Sequence, residues 1–175
     1  MTNCGKGILM TKLQLKENEV LRLYNVLSRE IRFDGQSMQN SMAHLIACWI
    51  NNAGNEPVGP LISYSSKMTG LEDNGEPIVK TKVMMQLRDK LVSSEQPYDF
   101  TEEIVVEDCI FVRFQDKAEN LPYAYSKISL LAYEKDIRLN GDSYTVFISG
   151  KDAGNIVADI FMPVADNQRF TPGCL

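Results

Sequence analysis

The sequence predicts an α+β fold in which two βαββ units form an antiparallel sheet, with two helices around a central cleft. Apolar and polar residues alternate over several segments, as half-buried strands require. Two segments, starting at Gln36 and Asn120, change to helical spacing. The order strand, helix, strand, hairpin, strand therefore occurs twice, at residues 19–89 and 102–164. We interpret these ranges as pseudo-repeats within a single domain of residues 1–175.

The first unit opens with a strand over residues 21–33 and continues with a helix over residues 36–52. Apolar residues of the strand share one parity, so we expect them on a single buried face. They are Leu21, Leu23, Leu27, Ile31 and Phe33. Apolar residues of the helix recur at intervals of three or four positions and are expected on its buried side. They are Met38, Met42, Leu45, Ile46 and Trp49.

A second strand and a hairpin complete the first unit. Ile62, Tyr64 and Met68 alternate as a strand, and residues 72–75 form a hairpin turn because Asn and Gly tolerate positive φ. The return strand carries an alternating apolar row of Val79, Val83, Met85 and Leu87. The polar stretch over residues 89–100 is expected to connect the two units.

The second unit repeats this order. A strand over residues 104–114 leads to a helix that Asn120 caps, with Pro122 in its first turn. The helical apolar row consists of Leu121, Tyr125, Ile128 and Ala132. After a break at residues 140–142 come two strands. Their alternating residues are Tyr144, Val146 and Ile148, then Ile156, Ala158, Ile160 and Met162.

One constant shift aligns the two units along the chain. The shift that places Arg29 on Arg113 also places Trp49 on Tyr133. Either unit alone leaves a helix stripe and a sheet face unburied, and joining the two covers both. A groove between the halves is where a pocket would form. Arg29 and Arg113 are interpreted as exposed residues in salt bridges, with a shared anion site as the alternative.

Composition and charge exclude several classes of protein. The net charge is −5 and no Lys/Arg cluster occurs, so we expect no nucleic-acid partner. No apolar run approaches the length of a membrane span, and residues 1–10 lack a signal-peptide core, so we expect no membrane contact and a cytoplasmic location. The four cysteines match no zinc or redox spacing, and Cys48 and Cys109 are expected to be small core residues.

The end of the predicted last strand carries the clearest family signal. Residues 159–164, Asp-Ile-Phe-Met-Pro-Val, resemble the acidic-Ile-Tyr-Ile-Pro-Val ending of the GyrI-like effector-binding domains. Such domains also occur in AraC-type and MerR-type regulators and are related to the SOUL haem-binding proteins. The resemblance covers residues 19–165 and implies a stand-alone bacterial effector-binding domain. Residues 118–122 depart from it, because the family usually has a glycine-containing segment there.

The resemblance implies a cleft that binds a small amphipathic or cationic molecule, with no cofactor. Aromatic residues line such a cleft, and by position Asp159 is the acid that would neutralise the charge of a ligand. Tyr and Trp suit a cleft wall because each has an apolar ring and a polar tip. The predicted ligand-binding residues are Trp49, Tyr64, Tyr125, Tyr133, Tyr144, Asp159 and Phe161.

Catalytic and metal sites are not expected. His44 is the only histidine and lies away from the apolar stripe of its helix, so we expect it to be exposed to solvent. The segments Gly5-Lys6-Gly7 and Ser149-Gly150-Lys151 are fragments of a phosphate loop and are interpreted as turns. The acidic residues Glu102, Glu103, Glu107 and Asp108 are expected on a solvated strand edge.

Three functional hypotheses follow. The favoured one is a non-enzymatic domain that binds a small effector in the aromatic cleft. The alternative is a protein-interaction accessory module, such as an inhibitor, an immunity protein or a secretion-associated protein, with no small ligand. The third is a hydrolase, which would need a carboxylate and aromatic residues to converge in the cleft; exposure of both Asp159 and Glu107 to bulk water would exclude it.

Overall fold

Six antiparallel strands close on one another as a barrel in the computed structural model, which describes residues 13–31, 37–73, 75, 77–148 and 155–165. The elements follow the order β1 (Leu15–Ile31), α1 (Ser37–Asn52), β2 (Pro57–Ser65), β3 (Gly70–Leu71), β4 (Pro77–Ile78), β5 (Thr81–Leu87), β6 (Tyr98–Lys117), α2 (Leu121–Glu134), β7 (Ser143–Ile148) and β8 (Asn155–Pro163). Strands β3 and β4 form a separate hairpin, and a 3-10 turn over Ala118–Asn120 precedes α2. The predicted α+β class is confirmed.

The barrel has the strand order β1-β5-β2-β7-β8-β6, and β6 pairs back onto β1. In the first half of the chain β5 lies between β1 and β2, and in the second half β8 lies between β6 and β7. The halves meet along two antiparallel pairs, β1 with β6 and β2 with β7. The two long strands, β1 and β6, therefore form the most extensive junction between the halves.

Both helices pack on the outside of the barrel. Ile46 and Ile50 of α1 pack on residues of β1, β5 and β6, while Ala124, Ile128 and Ala132 of α2 pack on residues of β6 and β8. A third apolar cluster contains strand residues only, on the face that points away from both helices. Because the barrel is closed, this face is its interior. Its buried members are Leu21, Leu23, Val26, Ile62 and Met84.

The predicted single apolar face of the first strand is wrong. Leu21 and Leu23 belong to the interior cluster, whereas Leu27 and Ile31 pack under α1. Asn25 lies between them with a φ of 49°, and this left-handed residue switches which parity faces inward. Phe33 lies outside the described residues.

Strand β6 contains a similar left-handed residue at Asp108, where φ is 51° and the inward-facing parity again switches. Ile104 and Val106, before it, belong to the interior cluster, while Ile110 and Val112, after it, pack under α2. The middle part of each long strand therefore faces the barrel interior and its two ends lie beneath the helices, with Leu15 of β1 packed under α2 and Tyr98 of β6 under α1.

The left-handed conformation of Asn25 leads to a test of this switch. Asn25→Val is expected to lower the free energy of unfolding by about 1–2 kcal/mol, because a side chain with a branched β-carbon crowds the backbone at positive φ. Asn25→Gly adopts the same conformation without that cost and serves as the control. Urea unfolding of both variants measures the difference. Equal stabilities of the Val and Gly variants would show that the switch does not depend on this backbone geometry.

Several local predictions fail for identifiable reasons. Leu45 is exposed because it lies beside the buried stripe of Ile46 and Ile50. Met68 follows the end of β2 and is also exposed. The Asn120 side chain makes no helix cap; its Nδ2 donates to Asp116 Oδ2 at 2.8 Å. The side chains of Met38 and Met42 lie outside the described part of the chain.

The turn and break predictions are confirmed. The backbone N–H of Gly75 donates to Glu72 O at 2.8 Å in the turn between β3 and β4, and Gly75 has a φ of 83°. Gly141 has a φ of 97°, and a Cβ there would lie 2.7 Å from the Cβ of Lys67. Pro122 occupies the first turn of α2 and Pro163 ends β8. In the described parts of the chain, neither helix is long and apolar enough to span a bilayer.

Candidate ligand-binding face

Four aromatic residues lie side by side across four neighbouring strands. Tyr64 of β2 is opposite Tyr144 of β7, Tyr144 is opposite Phe161 of β8, and Phe161 is opposite Phe111 of β6. Directly opposed residues of neighbouring strands point to the same face. The ring centroids are 4.9 Å apart for Tyr64 and Tyr144 and 5.0 Å apart for Phe111 and Phe161. We call these four residues the aromatic row.

The aromatic row borders the interior cluster. Tyr64, Tyr144 and Phe161 are half-buried and pack against its buried members. A lysine stands at either end of the row: Lys82 is opposite Tyr64, and Lys16 is opposite Phe111. Lys82 pairs with Asp99 at 3.5 Å and Lys16 pairs with Glu19 at 3.8 Å. Each end of the row therefore carries a cation that already has a carboxylate partner.

The next row on this face contains an ion pair between β6 and β8. Arg113 donates from Nε and Nη2 to the two carboxylate oxygens of Asp159, both at 2.7 Å. The Asp159 side chain is 13% exposed, and its hydrogen bonds and negative charge raise the pKa of Arg113. Asp159 thus shares the face with Phe161, but its charge is balanced by Arg113. Arg29 lies elsewhere, with its guanidinium carbon 5.6 Å from the ring centroid of Tyr98.

A second carboxylate, Asp142, lies just before β7 and acts on the tyrosines of the row. Burial raises the pKa of Tyr64, and the charge and a hydrogen bond of Asp142 raise it further. Burial raises the pKa of Tyr144 to about 12, with smaller contributions from the charges of Tyr64 and Asp142. Asp142 Oδ1 also accepts the backbone N–H of Lys67 at 2.8 Å. Both hydroxyls therefore stay protonated near neutral pH.

The raised pKa of Tyr144 predicts how stability depends on pH. The ordinary pKa is 10.0 and the folded pKa is about 12. The contribution of Tyr144 is therefore complete below pH 10 and is lost between about pH 10 and pH 12, as the unfolded chain ionises first. Tyr144→Phe should show a smaller loss of unfolding free energy over this interval than the parent protein in urea titrations. Parallel pH profiles for the two proteins would contradict the assignment.

The structure brings four of the seven predicted ligand-binding residues onto one face, namely Tyr64, Tyr144, Asp159 and Phe161. The other three belong to the helices. Trp49 stacks on Tyr98 beneath α1, with ring centroids 4.8 Å apart. The Tyr125 hydroxyl is hydrogen-bonded to Thr145, and burial raises its pKa. Tyr133 is 85% exposed on α2.

Two residues of this face are absent from the sequence-based prediction. Phe111 joins the aromatic row only because the switch at Asp108 turns it to the same face as Phe161. The sequence-based prediction places Asp142 in a chain break; the signal for its role is an acidic residue directly before the strand that carries Tyr144.

The cysteine predictions have opposite outcomes. Cys109 is buried as predicted, and burial and the charge of Asp108 raise its pKa to about 11. Cys48 is exposed, which corrects its assignment to the core, because it lies beside the buried stripe of α1. His44 is exposed, as predicted, and its Nε2 lies 3.6 Å from the Cys48 Sγ. Within the described ranges no group of three or more metal-ligating side chains occurs.

The acidic residues Glu102, Glu103, Glu107 and Asp108 of β6 are all exposed to solvent, as predicted. Glu103 pairs with Arg22 at 3.2 Å, and Glu102 pairs with Lys90. Glu107 lines a pocket of about 610 Å³ together with Asp136 and Ile137, at the end of α2. Asp159 does not line that pocket. The two phosphate-loop fragments, at residues 5–7 and 149–151, lie outside the described residues.

The fold is shared with solved structures. No protein-family model matches the sequence, and no curated protein matches it. The crystal structure of the EcmrR C-terminal domain is similar with a TM-score of 0.63 and 15% identity, over 88% of this chain and 97% of that chain. An uncharacterized conserved protein from Listeria innocua is similar with a TM-score of 0.53 and 10% identity, over 88% and 92% of the two chains.

A longer protein gives the same result. The cryo-EM structure of an EcmrR–DNA complex is similar with a TM-score of 0.61 and 15% identity, over 87% of this chain. This chain spans 57% of that one, a little over half of its length. The fold of the chain is therefore similar to that of the C-terminal domain of EcmrR.

Proposed function

We propose that this chain is a GyrI-like effector-binding domain, built as a single domain from two βαββ copies, which binds a small amphipathic cation without transforming it. The two halves have the same strand order, β1-β5-β2 and β6-β8-β7, which supports the proposal that they are copies of one unit. The observation that carries the function is the aromatic row, in which Tyr64, Tyr144 and Phe161 lie on one face beside Asp159. Likeness in fold to the EcmrR C-terminal domain supports the same assignment.

The aromatic row suits a flat or branched aromatic cation. Ring faces attract a cation, at about 0.5–2 kcal/mol for each ring depending on how dry the contact is. The hydroxyls of Tyr64 and Tyr144 remain protonated, and Asp142 supplies negative charge beside them. The neighbouring row contains the Arg113–Asp159 ion pair, whose two charges cancel. We therefore propose that Asp142 contributes more to the recognition of charge than Asp159 does.

A pair of probes with one shape and opposite charges tests this proposal. Tetraphenylphosphonium and tetraphenylborate are nearly isosteric, so their difference in affinity reports charge alone. We expect calorimetry to detect saturable binding of the phosphonium and much weaker binding of the borate. Equal binding of both ions would contradict recognition of a cation.

Variants of the aromatic row locate the site. Replacing both Tyr64 and Tyr144 by alanine should weaken binding of tetraphenylphosphonium roughly fivefold to nearly a thousandfold, from about 0.5–2 kcal/mol for each ring. Tyr133→Ala is the matched control, because that ring is exposed on α2 and lies off the row. Circular dichroism confirms that each variant is folded. Unchanged affinity in the double variant, or a loss caused by Tyr133→Ala, would place the ligand elsewhere.

A further inference from the structure

The exposed side of α1 carries a histidine and a cysteine one helical turn apart. His44 and Cys48 are separated by four residues, a spacing that places side chains next to each other on a helix surface. Both side chains are exposed, and the distance between Cys48 Sγ and His44 Nε2 is 3.6 Å. His44 is the only histidine of the chain. The aromatic row does not involve either residue.

The separation of the two atoms matches a shared metal ion. Zinc binds cysteine sulfur at about 2.3 Å and histidine nitrogen at about 2.0–2.1 Å in tetrahedral geometry. Two ligand atoms at these distances and a tetrahedral angle are about 3.6 Å apart. The observed spacing therefore requires no movement of the helix and only small adjustments of the two side chains.

We propose that His44 and Cys48 together bind one divalent ion of the class that prefers sulfur and imidazole ligands, of which Zn²⁺ is the representative. On binding, the thiol loses its proton to solvent, and the sulfur and Nε2 each donate one lone pair to the ion. Water fills the remaining coordination positions. Mg²⁺ and Ca²⁺ are not expected to bind, because they prefer oxygen ligands. The site does not depend on the proposed binding of an organic cation.

Cobalt titration of the full chain tests the site, since Co²⁺ replaces Zn²⁺ and gives a thiolate-to-cobalt charge-transfer band. Cys4→Ser and Cys174→Ser form the background, so that Cys48 is the accessible thiol while Cys109 remains buried. We expect the band to saturate at one equivalent and to disappear when Zn²⁺ is added. His44→Gln and Cys48→Ser should each abolish it while the thermal midpoint without metal stays unchanged.

A displaced thiol serves as the matched control. Cys48→Ser combined with Asn51→Cys keeps an exposed cysteine on α1 but moves it two turns, a rise of about 10.5 Å, from His44. This variant should show no band at the same concentrations. A band of equal strength in this variant or in His44→Gln, or no band in the background protein, would overturn the proposal.

Discussion

Tyr98→Ala is expected to lower the free energy of unfolding by about 3–5 kcal/mol, the range for removal of a large buried aromatic side chain. Tyr98 is 8% exposed at the start of β6, in the cluster beneath α1. Its ring stacks on Trp49 and lies under the guanidinium of Arg29. Alanine would leave a cavity between α1 and the barrel and would remove both ring contacts. Urea unfolding followed by circular dichroism measures the loss.

Two variants separate the causes of this loss. Tyr98→Phe keeps the ring and should retain most of the stability, because packing and stacking do not need the hydroxyl. Tyr133→Ala removes an equally large but exposed ring, and surface substitutions of this kind usually stay within about 0.5 kcal/mol. If Tyr98→Ala were no more destabilising than Tyr133→Ala, the packing of α1 on Tyr98 at the start of β6 would be incorrect.

Ile62→Ala is expected to lower the free energy of unfolding by about 2–5 kcal/mol. Ile62 lies on β2, fully buried, directly opposite Val146 on one side and Met84 on the other. It fills the barrel interior next to Tyr64, so its loss creates a cavity that no helix can cover. For a chain of this size each kcal/mol corresponds to roughly 2–4 °C in the thermal midpoint.

The control for this variant lies on the same strand. Val58→Ala removes an exposed side chain of β2 and should change the thermal midpoint little. Differential scanning calorimetry of the two variants compares a buried and an exposed position in one element. A small shift for Ile62→Ala would mean that the barrel interior is not the packed cluster described above.

Both helices could be predicted from the sequence because their signals are local. The predicted helix at residues 36–52 corresponds to α1 at Ser37–Asn52, and the row from Leu121 to Ala132 falls within α2. Helical spacing depends only on neighbours along the chain, and residues such as Pro122 and Gly141 add local markers. The positions of individual side chains, such as Leu45 and Cys48, were less predictable because a one-residue rotation decides their burial.

The faces of the long strands could not be predicted from alternation alone. A parity rule holds until a left-handed residue interrupts it. Asn and Asp adopt that conformation more readily than most residues, but the sequence does not show that Asn25 and Asp108 do so within a strand. Because of the switch in β6, the predicted ligand-binding residues include Tyr64, Tyr144 and Phe161 but not Phe111. The pairing of β1 with β6, which closes the barrel, joins residues about 70–100 positions apart and leaves no local trace.

The sequence pattern also could not predict which face of the barrel the aromatic residues of the helices would contact. The sequence-based prediction groups Trp49 and Tyr125 with the strand aromatics because each has an apolar ring and a polar tip. The helices cover the outside of the barrel, so their buried side chains meet the outer face of the strands. Tyr64, Tyr144 and Phe161 are on the opposite face. A sequence shows which rings tend to be buried, but the face they reach depends on how the barrel closes.

A crystal structure with tetraphenylarsonium tests the central claim most directly, because the anomalous signal of arsenic locates the cation without reference to side-chain density. We predict one arsenic peak within about 6 Å of the ring centroids of Tyr64, Tyr144 or Phe161. A peak only in the pocket beside Glu107 and Asp136, or against Trp49, would contradict the assignment of the aromatic row as the ligand-binding face.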